Sequence, residues 1–171
     1  IGVAPESSIV MLKVLERDGS GKIKNMIKGM EWICLNHKKY GIRIVNISVG
    51  MPVKNVENPD EDILVKKVEE LWNAGLVVVV AAGNDGPAPH TITSPGTSRK
   101  VITVGTGTEA GGEYSGQGPV LGSCVCKPDI IAPATNILSC DNHGKSYKKR
   151  SGTSMATPIV SGTIALLLSN E

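Results

Sequence analysis

The run "LVVVVAAGN", Leu76–Asn84, limits the choice of fold more than any other stretch of the chain. Consecutive valines are stiff at χ1 and favour strand over an isolated helix. They also show no alternation of apolar and polar residues, so both faces of that strand must be covered, as happens in parallel sheets packed between helices. Two helices are available as cover. Ile23, Met26, Ile27, Met30, Ile33 and Cys34 form an i, i+3, i+4, i+7 stripe that predicts a helix over Lys22–Lys39, stopped at Gly41. A second is predicted over Glu61–Asn73, with Asp60 as cap and Gly75 just past its end.

Further short apolar runs read as strands buried on both faces: Met11–Leu15, Ile42–Ser48, Val101–Gly105 and Asp129–Ala132. Strands separated by helices of this length imply right-handed crossovers and an α/β fold, a mainly parallel sheet flanked by helices. Aromatic residues are 3% and Phe is absent, so such a core is built from Val, Ile, Leu, Met and Ala. Gly86–Ser98 and Thr106–Gly122 read as loops, and no linker divides residues 1–171, which are expected to form one domain.

A net charge of +2 gives no basic field for nucleic acid. No apolar run reaches the roughly 18 residues of a membrane span, so neither nucleic acid nor membrane is expected as a partner. The chain opens on Ile1, not Met, and residues upstream of it are expected. The four cysteines, Cys34, Cys124, Cys126 and Cys140, match neither zinc nor C-x-x-C spacing. They read as reduced, with a Cys124–Cys140 or Cys126–Cys140 bridge as the alternative, and lean toward a cytoplasmic setting.

Three motifs are decoys. "HGKS" at His143–Ser146 lacks the glycine and the following helix of a phosphate loop, and "GTGTEAGG" from Gly105 lacks the dinucleotide spacing. Lys145, Lys148, Lys149 and Arg150 fit a solvated hairpin better than a site for acidic substrates.

"SGTSMATP", Ser151–Pro158, differs in kind. Ser154 stands among small residues where a helix begins, with Pro158 tolerable only near that start, and the apolar run behind it predicts a helix buried through the middle of the sheet. A helix N-terminus favours negative charge on and beside the serine oxygen; a plain N-cap serine is the bland alternative. Asn84 follows directly on the valine strand, at the C-terminal edge where open α/β sheets bind ligands, although "NDGP" is also good turn chemistry. "NISVG", Asn46–Gly50, ends another strand at that edge and offers backbone groups to an extended peptide.

A serine nucleophile needs a base. The order in which the histidine follows the serine is excluded, because no His follows Ser154. In the order Asp, His, Ser both partners come first. Taken together, "GTSMATPIVSG", "VVAAGNDGP", "NISVG" and "GVAP" followed by "LKVL" resemble the subtilisin-like serine proteases, over essentially the whole chain and in that family's order. The resemblance implies an endopeptidase acting on peptide or protein substrates, with Ser154 as nucleophile and Asn84 plus the Ser154 backbone N–H as oxyanion hole. It implies that Ser48, Val49 and Gly50 pair with the substrate backbone and that Ala81 and Gly83 wall the pocket for the residue before the cleaved bond. Thr93, where the family often has Gly, implies a shallower pocket. Met51 departs from a common second Gly.

The family's D-T/S-G and H-G-T-H motifs do not occur, and His37, His90 and His143 lie outside any family motif. The resemblance places the aspartate's strand between "MLKVL" and "IVNIS", so a gap is expected there, filled by an absent N-terminal part, by another copy of the chain, or closed by a rearranged sheet. The chain alone is expected to be inactive. The competing reading is a non-catalytic peptide- or protein-binding module on the same scaffold. No cofactor is assigned; the family allows calcium, but no carboxylate cluster suggests where.

Overall fold

A computed structural model describes residues 2–53, 58–107, 113–141 and 146–169. His143, Lys145 and most of the glycine-rich run after Gly105 lie outside them. In chain order the elements are α1 (Ile23–Tyr40), β1 (Ile44–Ile47), a 3-10 turn (Pro59–Glu61), α2 (Ile63–Asn73), β2 (Val77–Ala81), β3 (Ile102–Gly105), β4 (Ile130–Ile131), β5 (Ile137–Cys140), β6 (Tyr147–Arg150) and α3 (Thr153–Leu168).

The valine run is the heart of the molecule. β2 pairs in parallel with β1 through Val77–Ile44 to Val80–Ile47, and with β3 through Val79–Ile102 to Ala81–Val104. β4 adds to β3, giving the order β1-β2-β3-β4. Because strand side chains alternate, Val78 and Val80 face a core shared with α1 and α2, through Met26, Met30, Leu64, Val68 and Leu71. Val79 faces the opposite core, with Val104, Ala134, Ala156 and Val160 of α3. Val78, Val79 and Val80 are 0% exposed. The predicted α/β sheet with helices on its faces is thus present.

α2 starts two residues later than the sequence suggests. Asp60 falls within the 3-10 turn, and Asp62 is the cap, its Oδ1 accepting the Leu64 N–H at 2.8 Å. Asp62→Ala removes the acceptor of an otherwise orphaned helix donor and should cost about 1 kcal/mol, read as a lower urea midpoint at unchanged slope.

Four expectations need correcting. Met11–Leu15 is not a strand: among the described residues only Leu15 makes a bridge, antiparallel to Gly21, and Met11 is 81% exposed. β1 pairs with β2 alone, so the segment has no neighbouring strand to pair with, and an isolated extended segment is not stable by itself. Val14 and Leu12 instead lean on α1 beside Gly29. Ile42–Ser48 is not covered on both faces, since Asn46 in the middle of β1 is exposed. In β4 both Ile130 and Ile131 are exposed, because it lies at the far edge of the sheet. α3 is not buried all round: Thr153, Ala156, Thr157 and Val160 are buried, but Leu167 near its end is 64% exposed.

β5 and β6 form a separate antiparallel hairpin, Ile137–Arg150 to Cys140–Tyr147, with every residue of β6 exposed. Lys148, Lys149 and Arg150 therefore sit on a solvated hairpin, and Arg150 lies 3.8 Å from Asp141. Lys127 is the opposite case. Its side chain is 1% exposed, and its ammonium donates to Val101 O at 2.8 Å and to Asp129 Oδ2 at 2.6 Å. The same carboxylate oxygen accepts the Thr103 N–H at 2.7 Å, tying the entry to β4 onto β3.

Candidate active site

β1 and β2 run in parallel, so the residues that follow them emerge side by side at one edge of the sheet. The N-terminus of α3 arrives at the same edge. This juxtaposition brings Ser48–Gly50, Ala81–Asn84 and Ser154 together, although they are far apart in sequence.

Gly152 makes the approach possible. Its φ is 142°, a backbone state that L side chains rarely adopt, and a Cβ there would stand 3.5 Å from Asn84 Nδ2. Its N–H donates to Ala134 O at 3.0 Å, which anchors the turn into α3. Thr153 then docks the helix on Asn84: its backbone N–H donates to Asn84 Oδ1 at 2.9 Å, and its hydroxyl lies 3.1 Å from the same oxygen and 3.3 Å from Gly83 O. The amide oxygen is thereby engaged, which leaves the Asn84 Nδ2 donors for another acceptor. Asn84 itself is exposed at the edge.

Ser154 is half-buried in the first turn, where a backbone N–H has no acceptor within the helix. Its hydroxyl donates to Ser48 O at 2.8 Å. A carbonyl accepts that hydrogen bond but cannot take the proton. Pro158 stands four residues on and has no N–H to return to Ser154 O, and Thr157 Oγ1 bonds back to Thr153 O at 2.8 Å. Below, Ser161 Oγ donates to Asn46 Oδ1 and Asn46 Nδ2 to Ser48 Oγ, both at 2.9 Å, which ties α3 to the end of β1.

Neither described histidine serves Ser154. His37 Nδ1 lies 3.0 Å from Cys34 O on its own helix, and His90 Nδ1 lies 2.6 Å from Pro119 O.

Between the ends of β1 and β2 lies Thr93, buried, with its N–H donating to Ala82 O at 3.0 Å. A Cβ on Gly83 (φ 97°) would come within 2.5 Å of Thr93 Cγ2, and one on Gly50 would collide with Thr93 Oγ1. Thr93 thus fills the slot that the two glycines leave open. Met51 and Ser94 exchange backbone hydrogen bonds at 2.9 Å each way, so the outer edge of this segment is already paired at Met51.

Every candidate residue named from sequence therefore lies at this one edge. Thr153 was missed; its position directly before the serine in "GTS" was the available signal. The Asn46–Ser161 link carried none, since nothing in the sequence relates those positions.

The sequence profile of the Subtilase family matches residues 1–171. Serine protease AprX of Bacillus subtilis (strain 168) is 40% identical over 193 aligned residues, which cover 98% of this chain and 43% of that protein. Subtilisin E of the same organism is 34% identical, covering 100% of this chain and 41% of that one. A solved structure described as a cold adapted subtilisin-like serine proteinase superposes with a TM-score of 0.80 at 31% identity, covering 99% of this chain and 56% of that one. The chain thus spans less than half the length of these two curated relatives.

Proposed function

Since the chain belongs to the subtilase family of serine proteases, we propose that it is the nucleophile-bearing part of an endopeptidase catalytic domain, completed by an Asp and a His that another polypeptide segment supplies. Ser154 Oγ attacks the scissile carbonyl carbon and its proton passes to that histidine, which then delivers it to the leaving amine. Asn84 Nδ2 and the Ser154 N–H donate to the oxyanion as it forms. Ser48, Val49 and Gly50 align the substrate backbone, and Ala81 and Gly83 wall the pocket for the side chain before the cleaved bond.

The observation that carries this reading is the hydrogen bond from Ser154 Oγ to Ser48 O, at the start of α3 and beside Asn84. It supports the reading because the serine stands beside the Ser48–Gly50 segment and Asn84, to which the reading gives binding and oxyanion roles, while its acceptor is unable to act as a base. The same observation supports inactivity of the chain alone, as does the absence of the D-T/S-G and H-G-T-H motifs from the sequence. It also keeps alive a second reading, a binding module that uses the Ser48–Gly50 edge without cleaving. Fluorophosphonate labelling read by intact mass separates the two. Ser154 should stay unlabelled in the chain alone and label stoichiometrically once a polypeptide carrying both motifs is added. Failure to label even then favours the binding module.

Among the described residues no group of three or more His, Cys, Asp or Glu stands together as a metal site, so no residue is assigned to calcium.

Thr93 sets the size of the pocket in this reading. Thr93→Gly reopens the slot between Gly50 and Gly83 and should raise kcat/KM for Phe over Ala before the cleaved bond by about 10–100-fold in the completed enzyme. A preference for Phe over Ala already as strong in the parent would sink it.

A further inference from the structure

Away from the serine, residues 118–127 form a small hairpin-like loop. Gly118 N–H donates to Lys127 O at 2.9 Å, Val120 N–H to Val125 O at 2.8 Å, and Cys124 N–H to Val120 O at 2.8 Å. Val125 turns inward against Ala82, Ile92 and Val120, and Lys127 is buried on Val101 and Asp129. With 125 and 127 pointing in, Cys126 between them and Cys124 before them face solvent, and both thiols are free and exposed. Cys124 reaches that position with φ at 53°.

We propose that Cys124 and Cys126 together form a binding site for a soft monovalent cation, copper(I), held between two thiolates. The reasoning is one of reach and coordination number. Residues i and i+2 have Cα atoms no more than about 7 Å apart. Sulfur–metal bonds of about 2.3 Å place two thiolates roughly 4.6 Å apart across a linear ion, a gap that two such side chains span. Thiolate donors select soft ions. Zinc wants four ligands, whereas among the described residues no third His, Cys, Asp or Glu joins this pair. Copper(I) is satisfied by two.

Anchors at Val120, Val125 and Lys127 hold the loop, so little ordering remains to be done on binding. The bound unit carries one negative charge, since each thiol gives up its proton to the solvent and the ion brings one positive charge. The Arg99 guanidinium stands beside the tip, with Nη2 donating to Ser123 O at 3.1 Å and Nε 3.7 Å from Asp60 Oδ2, and offsets part of that charge.

The test is an anaerobic titration of the full chain against copper(I) held by bicinchoninate, followed by loss of the coloured complex. One copper per chain should transfer. Cys124→Ser and Cys126→Ser should each weaken that transfer beyond the roughly 10–100-fold that outer-shell changes produce, whereas Cys34→Ser and Cys140→Ser should leave it intact. Because both thiols are exposed, far-UV circular dichroism should show both serine variants folded. Bicinchoninate keeping its copper against the parent chain overturns the proposal, as does full transfer to Cys124→Ser or Cys126→Ser, or loss of transfer in Cys34→Ser or Cys140→Ser.

Discussion

With a polypeptide bearing the family's Asp and His motifs added, the chain should hydrolyse a peptide substrate about 10⁶-fold faster than alone, and Ser154→Ala should erase the gain. The size follows from how the triad acts. For subtilisin itself, loss of the serine or the histidine lowers kcat by about 2 × 10⁶, and what remains comes from oxyanion stabilisation and binding. In the proposed reading both of those elements belong to this chain, and the proton acceptor comes from elsewhere. Ser154 Oγ donates to Ser48 O, so adding a base exchanges a passive acceptor for an active one. Asn84→Asp makes the sharper control. It keeps an oxygen for the Thr153 N–H, and hence the start of α3, but replaces the Nδ2 donor with a second acceptor. The rate of the completed enzyme should fall at least 10²–10³-fold, the cost of one oxyanion donor in this family. Activity of the lone chain equal to that of the completed one would show that a base is already present.

Asp129→Ala should be the most destabilising single change outside the core, at about 3 kcal/mol, the lower end of the range for breaking a buried pair. Lys127 is sealed in and its ammonium has two partners, Val101 O and Asp129 Oδ2. Removing the carboxylate leaves a cation in the interior with one neutral acceptor, and also deprives the Thr103 N–H of its partner. The lower figure applies because Asp129 is itself 42% exposed, so water screens part of the attraction. Lys127→Met combined with Asp129→Leu should lose much less, since no charge is then stranded. Equilibrium urea unfolding measures both. A single Asp129→Ala costing under about 1 kcal/mol would show the pair to be a surface contact.

Much of this was legible in the residues, for specific reasons. The valine run admits only a strand covered on both sides, and the stripe from Ile23 to Cys34 admits only a helix lying on a core. Small residues before Ser154 and glycine before Asn84 marked the candidate site, because close backbone approach leaves a compositional trace. What escaped notice depends on partners distant in sequence. Met11–Leu15 has the composition of a strand, but a ladder needs a neighbour, and β1 pairs elsewhere. Lys127 looks like any surface lysine until Val101 and Asp129 close around it. Thr93 reads as a loop residue, and only the meeting of Gly50 with Gly83 shows which space it fills. The capping error at Asp60 was a choice among neighbouring acidic residues, which helix geometry settled in favour of Asp62.

The central strand has one more consequence, concerning errors of alignment. A side-chain pattern fixes the register of a strand only when its two faces differ. In β2 they do not, since Val77 to Val80 offer the same residue to both cores. Within Val77–Val80 a slip by one position would exchange valine for valine, and only the ends of the run, buried Leu76 and Ala81, would register it. Those ends must therefore set its alignment, Gly75 and Leu76 on one side and Ala81, Gly83 and Asn84 on the other. One extra valine would shift everything beyond it by about 3.3 Å, enough to part Asn84 from Thr153. A change that the valine positions of both cores barely register would then separate the residues gathered at their shared edge.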